Sequence, residues 1–103
     1  MYKRQAKISK AILAKEPNNV EANYQYGVVL AENGRTAEAI DYFQKATESN
    51  KAPLQAKFYL GKANRDLGNY AKCKEIFEVL ANEAPQFYAV HHELALLLSL
   101  IHI

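Results

Sequence analysis

The chain has 103 residues, half of them apolar, with three prolines and one cysteine. This length and composition indicate one small soluble helical unit and exclude a disordered chain. A single cysteine excludes an internal disulfide or a thiolate zinc cluster, and it favours a reducing compartment such as the cytoplasm. Lys3 and Arg4 supply the net charge of +2, because residues 6–97 hold eleven basic and eleven acidic side chains. We therefore expect no nucleic-acid-binding stripe.

Both ends of the chain have an unusual relationship to each other. DNA that encodes residues 2–5 can encode residues 98–101 when it is read as the reverse complement, and both stretches resemble a translated sequencing adapter. We interpret residues 1–5 and 98–103 as an artefact that flanks a metagenomic fragment. The alternative is a natural helix start and an apolar helix end. The predicted fold is therefore based on residues 6–97. The apolar stretch 94–101 is too short to cross a membrane.

Helical spacing of apolar residues and regularly placed turn residues predict six helices. Val20, Tyr24 and Val28 share one helix face. Gly34 can take the left-handed conformation that ends a helix, and Thr36 is then the expected N-cap of the next helix. Gly68 and Asn69 play the same parts further along the chain. The predicted helices are 6–15, 20–33, 36–49, 54–67, 70–83 and 87 to the end of the chain.

The chain repeats itself at a fixed spacing. Gly27 and Gly34 recur 34 residues later as Gly61 and Gly68, and many neighbouring positions match at the same interval, which we call the repeat period. This period indicates stacked pairs of helices, in which small residues let two antiparallel helices approach while large aromatic residues fill the space beside them. We divide the single segment 1–103 into a partial repeat 6–19, repeats 20–53 and 54–87, and a partial repeat 88–97.

This pattern resembles the tetratricopeptide repeat, a helix-turn-helix unit of the same period. Asn23, Lys57 and His91 depart from the bulky residue usual in the first helix, and Leu80 stands where alanine is usual. The resemblance implies an all-α, right-handed superhelical solenoid of antiparallel helix pairs, with about two full and two half repeats. Its signature is carried by Gly27, Gly34, Ala39, Phe43 and Ala46 in one repeat, and by Leu60, Gly61, Gly68, Tyr70, Cys73, Phe77 and Pro85 in the next.

The resemblance also implies a concave groove, lined by the first helix of each repeat, that receives a peptide or a partner protein. Tyr24 and Phe58 are either apolar anchors for a ligand or packing residues between repeats. Lys62 and Arg65 either hold a ligand carboxylate or form a solvated face. A clamp for chaperone tails is not expected, since Tyr24 and Val28 replace its lysine and asparagine. The groove candidates are Glu21, Tyr24, Val28, Ala31, Gln55, Phe58, Lys62, Arg65, Ala89 and His92.

Residues that could carry catalysis or bind a metal do not form a recognisable site. His91 and His92 are adjacent and therefore point to different sides of a helix. Cys73 occupies a small buried position of the repeat, so an inert thiol is expected. Without a phosphate-binding loop or a nucleophile elbow, we expect no enzyme activity, no metal and no cofactor.

The sequence thus predicts a binding scaffold for a protein or peptide, with no nucleic-acid or membrane partner. The alternatives are a substrate-recruiting or regulatory arm of a larger enzyme and a structural assembly element. Half repeats at both ends should leave apolar faces uncovered and allow self-association. The residues expected at those faces are Ile8, Ile12, Leu94 and Leu97.

Overall fold

The computed structural model of the chain describes residues 2–101, with side chains described for residues 4–100. Helices are the only regular secondary structure within that range. The predicted order of six helices is confirmed, and α2 to α5 begin at the predicted residues and end within two residues of the predicted ends. The helices are α1 (Tyr2–Lys15), α2 (Val20–Glu32), α3 (Thr36–Thr47), α4 (Leu54–Asp66), α5 (Tyr70–Glu83) and α6 (Tyr88–Ile101).

The two terminal helices extend into the segments that the sequence interpretation set aside. The first helix begins at Tyr2, four residues before the predicted start at residue 6, and α6 continues through Ile101. Continuous helical hydrogen bonding accounts for this extension, because neither segment contains a proline or a glycine that would end a helix. The adapter origin of these segments stays an interpretation, and Met1, His102 and Ile103 lie outside the described residues.

The turn inside each helix pair depends on a left-handed glycine. Gly34 has a φ of 80° and Gly68 a φ of 82°, as the sequence predicted. In the second of these turns, the Asn69 amide donates to the carbonyl oxygen of Asn64 at 2.8 Å. A bond of this span caps the free carbonyl groups at a helix end. Each pair of helices therefore reverses direction through the same backbone geometry.

The prediction that Thr36 caps α3 was wrong. Arg35 is the residue before the helix, and its side chain makes no capping bond to the backbone. Its guanidinium instead donates two hydrogen bonds, of 2.9 and 2.8 Å, to the carboxylate of Glu38. Since the chain leaves the left-handed Gly34 and enters the helix after one residue, Thr36 already belongs to the first turn.

Two glycines allow the paired helices to approach closely, as predicted. A Cβ atom added to Gly27 would lie 2.7 Å from Cε1 of Phe43, and one added to Gly61 would lie 2.4 Å from Cε1 of Phe77. Both phenylalanines are fully buried. Any larger residue would therefore have to displace a ring that has no room to move.

The core consists of two apolar clusters. One surrounds Phe43 and Leu60, and the other surrounds Phe77. Each helix packs mainly on its neighbours in the chain, and α2 also contacts α4, which gives an elongated body of 44 × 27 × 21 Å. No helix in the described range is long and apolar enough to span a membrane.

The predicted exposure of the terminal helices was partly wrong. Ile8 is 53% exposed as expected, but Leu97 is fully buried in the second cluster. Leu97 stands one repeat period after Ala63, which is also buried, so the repeat itself directs this side chain inward. Ile12 and Leu94 are partly buried. The apolar surface of α6 is instead formed by Leu96 and Leu100, each about half exposed.

Candidate functional site

Tyr24, predicted as a groove anchor, packs between two helix pairs. Its ring centroid lies 6.5 Å from that of Phe43 on α3 and 5.9 Å from that of Tyr59 on α4. Burial raises the pKa of the Tyr24 hydroxyl, and the neighbouring Tyr59 and Glu21 raise it further. The side chain keeps part of its surface exposed. Tyr24 thus serves first as a packing residue, one of the two interpretations that the sequence left open.

Phe58 occupies the corresponding place one repeat later. Its ring is stacked on Phe77 at 5.8 Å and lies 5.3 Å from the ring of Phe87. The Nζ atom of Lys62 lies 5.4 Å from the Phe58 centroid and 5.7 Å from that of Tyr59. A cation at this distance from an aromatic face is attracted by the partial negative charge that the ring quadrupole places on that face. Phe58 therefore packs within its own repeat and against the cluster that includes Val90 of α6, and it also positions the ammonium group of Lys62.

The structure gives Arg65 a partner within the chain. Its guanidinium pairs with the carboxylate of Glu93 on α6 and lies 3.6 Å from that of Asp66. Arg65 and Glu93 are both mostly buried, with side chains 24% and 18% exposed. Because these carboxylates already balance the charge of Arg65, the predicted joint anion site loses one of its two cations. Lys62 makes no ion pair with any residue that the structure describes.

Residues from both repeats meet in a cleft of about 180 Å³ between α2 and α4. The predicted groove residues Val28, Ala31 and Lys62 line this cleft together. The prediction did not include Tyr59 or the carboxylates of Glu32 and Asp66. Glu32 and Asp66 are one repeat period apart, so the repeat places them at equivalent positions. We call this depression the groove cleft. Its lining is Val28, Ala31, Glu32, Thr36, Phe43, Tyr59, Lys62, Ala63 and Asp66.

The remaining groove candidates lie outside the groove cleft, on exposed surface of the first helices. They are Glu21, Gln55, Ala89 and His92. The carboxylate of Glu21 accepts a hydrogen bond of 2.7 Å from Gln25. Leu96, which the prediction also missed, stands one repeat period after Lys62 and is 49% exposed on α6. Counting one repeat period from Lys62 would have identified Leu96 as a groove candidate.

The reactive residue types are held in unreactive surroundings. Cys73 is fully buried, and burial raises the pKa of its thiol to about 11, so the reactive thiolate is disfavoured at neutral pH. The Nε2 atom of His91 lies 2.9 Å from the carbonyl oxygen of Pro85. Within residues 4–100, no three side chains of His, Cys, Asp or Glu gather where they could hold a metal ion.

Comparison with known proteins gives matches over most of the chain. Two tetratricopeptide repeat models match it, one at residues 5–53 and one at residues 30–98. Over 69 residues the chain is 33% identical to cell division cycle protein 27 homolog A of Arabidopsis thaliana, a match that covers 67% of the chain and 10% of that protein. The chain thus spans about a tenth of the length of this relative.

Solved structures share the arrangement of helices. A crystal structure of MamA has a TM-score of 0.86 at 20% identity, over 94% of this chain and 57% of the MamA chain. A second MamA crystal structure gives 0.84, also at 20% identity, over 93% of this chain and 52% of that one. The similarity establishes the helical solenoid. The family matches show that the chain belongs to the tetratricopeptide repeat family of protein-interaction scaffolds.

Proposed function

We propose that the chain binds a peptide segment of a partner protein in the groove cleft and catalyses no reaction. The observation that carries this proposal is the meeting of Val28 and Ala31 from one repeat with Lys62 from the next around one cleft. Concave sites that combine apolar walls with a few polar groups are typical of ligand pockets. The buried Cys73 thiol, with its raised pKa, supports a role without chemistry.

The lining of the groove cleft defines the peptide that it would accept. Val28, Ala31 and Tyr59 offer an apolar surface for one aliphatic or aromatic side chain. Lys62 is the cation left for a ligand carboxylate, since Arg65 is paired with Glu93. Glu32 and Asp66 line the same cleft, so a ligand with adjacent carboxylates would be repelled there. We therefore propose an apolar side chain flanked by no more than one acidic group.

A displayed library of random 12-residue peptides, selected against the chain, tests the proposal. The affinity of a selected peptide is then measured by fluorescence anisotropy for Ala31→Arg, Lys62→Ala and the control Lys72→Ala on the exposed surface of α5. We expect at least tenfold weaker binding to Ala31→Arg, a severalfold loss for Lys62→Ala and a change below twofold for the control. Mass spectrometry of the peptide after incubation with the chain should show it unmodified, as expected if the chain catalyses no reaction.

Two results would contradict the proposal. If the selected peptides bind the Ala31→Arg variant as tightly as they bind the original chain, the binding surface lies outside the groove cleft. Unchanged affinity of every selected peptide for Lys62→Ala would remove the anion site from the proposal while leaving the apolar contact.

A further inference from the structure

A second cleft lies on the other side of α2, between α1 and α3. It consists of two adjoining depressions of about 460 and 290 Å³ that share Lys10 and Tyr26. Leu30 lines this cleft and Val28 lines the groove cleft. Two residues along a helix correspond to more than half a turn, so the clefts use opposite faces of α2. No described residue lines both the groove cleft and this second cleft.

Positive charge dominates the second cleft. Lys7 and Lys10 reach it from α1, Lys45 from α3 and Arg35 from the turn before α3. Among the described residues that line these two depressions, none is an aspartate or a glutamate; Asp41 and Glu48 line a neighbouring depression that shares Tyr42 and Lys45 with them. Arg35 is balanced by Glu38, but the three lysines form no ion pair within the described part of the chain. We call this depression the basic cleft.

Helix α1 strengthens this charge. Without residues 1–5, which are interpreted as an artefact, it still contributes Lys7, Lys10 and Lys15 and no acidic side chain. The remainder of residues 6–97 is therefore net acidic, because residues 6–97 hold eleven basic and eleven acidic side chains. Concentration of one sign of charge along a cleft raises the local concentration of ligands of the opposite sign. Acidic ligands should accordingly be attracted to this side of the molecule.

The inner surface of the basic cleft is apolar and aromatic. The rings of Tyr26 and Tyr42 meet edge to face, with centroids 4.7 Å apart and planes at 88°. Tyr26 is only 8% exposed, and Lys10 Nζ lies 5.8 Å from the centre of its ring. A ring buried in this way offers no open face on which a nucleobase could stack. The surface suits apolar side chains of a peptide better than a nucleic acid.

An unsatisfied hydrogen-bond acceptor gives a second, independent indication of a ligand. Asn23 lines the basic cleft and is 1% exposed. Its Nδ2 atom donates to the carbonyl oxygens of Pro17 at 3.1 Å and Asn19 at 2.9 Å, but its Oδ1 atom has no partner among the described residues. Buried acceptors are rarely left unpaired, because the lost hydration is not replaced. A peptide N–H group would supply the missing donor.

The corresponding cleft one repeat later has a different character. There, Leu60 and Ile76 stand in the places of Tyr26 and Tyr42, and Val79 stands in the place of Lys45. Lys72 and Glu75 line this cleft with opposite charges, and Lys57, which replaces Asn23, pairs with Glu83 at 2.9 Å. The excess of lysines and the unpaired acceptor are therefore specific to the first cleft and are not a consequence of stacking repeats.

We propose that the basic cleft binds an acidic peptide segment of a partner protein. Carboxylates of the segment would pair with Lys7, Lys10 and Lys45, its apolar side chains would contact the partly exposed Leu13 and Tyr42, and a backbone N–H would donate to Asn23 Oδ1. This site is separate from the groove cleft, so the scaffold offers two binding surfaces of different ligand preference. Their ligands can bind at the same time, because the clefts share no described residue.

The test uses a fluorescein-labelled peptide of eight alternating glutamate and leucine residues. Its affinity is measured for the chain, for the double variant Lys10→Glu with Lys45→Glu, and for the control Lys51→Glu with Lys72→Glu, which changes net charge equally at exposed positions. We expect at least tenfold weaker binding to the first variant and a change below twofold for the control. Ala31→Arg in the groove cleft should also leave this affinity within twofold.

A measurement on the unmodified chain is independent of any misfolding in the variants. In NMR spectra, the side-chain amide of Asn23 should shift when the acidic peptide binds, while backbone amides around Val28 should not. The proposal is overturned by equal losses in the two double variants, by absence of binding at millimolar peptide, or by an unshifted Asn23 amide. Tighter binding of a ten-residue oligothymidylate that displaces the peptide would also overturn it in favour of a nucleic acid.

Discussion

Replacing Gly61 by leucine should destabilise the chain because the helix pair α4–α5 has no room for a side chain there. A Cβ atom at Gly61 lies 2.4 Å from Cε1 and 2.8 Å from Cδ1 of Phe77. The ring of Phe77 would have to move about 1 Å to restore an ordinary contact. Phe77 is fully buried, stacked on Phe58 and clustered with Val90 of α6, so this movement would disturb both the pair and its contact with α6.

The size of the effect follows from two opposing contributions. Overpacking of a core costs about 1–3 kcal/mol, and four added carbons place this substitution near the upper end. Leucine recovers about 1 kcal/mol through its higher helix propensity. The net loss of unfolding free energy should be about 2 kcal/mol, which for a chain of this size lowers the melting temperature by roughly 8–16 °C.

Thermal and urea unfolding followed by circular dichroism at 222 nm measure this loss. The matched control is Ala95→Leu, because Ala95 stands one repeat period after Gly61 on α6 and is exposed. That control should melt within about 2 °C of the original chain, as is usual for surface substitutions. A Gly61→Leu melt within the same margin, or an equal drop in both variants, would refute the packing argument.

Four other positions give further tests. Gly68→Ala, where no atom lies within 4 Å but φ is 82°, should cost about 1–2 kcal/mol in urea unfolding through backbone strain alone; an unchanged midpoint would contradict this. Arg65→Ala should lower the free energy of unfolding by about 1–2 kcal/mol, and a double-mutant cycle with Glu93→Ala should give a favourable coupling energy. Additive losses in the two single variants would mean that the ion pair contributes nothing to stability. The thiol of Cys73 should resist labelling until urea unfolds the chain. Because the pKa of this thiol is about 11 in the folded chain and 9.0 ordinarily, the free energy of unfolding should fall as pH rises from 9 towards 11, and Cys73→Ala should reduce this pH dependence. Sedimentation at rising concentration should show self-association that Leu96→Glu abolishes, and a monomer at every concentration would oppose this.

The repeat period was sufficient to predict most of the fold. Left-handed Gly34 and Gly68 and the glycine contacts of Phe43 and Phe77 are confirmed, because each depends on residue size or backbone freedom at one position. The start of α1 and the cap of α3 were wrong. Helix ends depend on small differences between competing hydrogen bonds. At α3 the capping position is occupied by Arg35, whose guanidinium has no acceptor for a backbone N–H and donates to Glu38.

The candidate site was predictable by position but not by contact. Counting from the repeat placed Val28, Ala31 and Lys62 around one cleft before the structure showed it. It did not predict that Arg65 pairs with Glu93, since that pair joins side chains 28 residues apart across a helix interface. Nor did the balanced charge of residues 6–97 indicate the basic cleft. Charges that cancel in a sum over the chain are separated in space by the fold.

The contact between phenylalanine and glycine also determines how far apart the helices of a pair lie. At Gly27 and Gly61 one aromatic ring fills the space that a side chain would take, so this ring limits how closely the two helices can approach. Each repeat therefore contains everything needed to set its own helix separation. A copy of residues 20–53 inserted before residue 54 should keep the same separation within its own helix pair, so an array of this kind can lengthen by duplication without any change to the contact inside each pair.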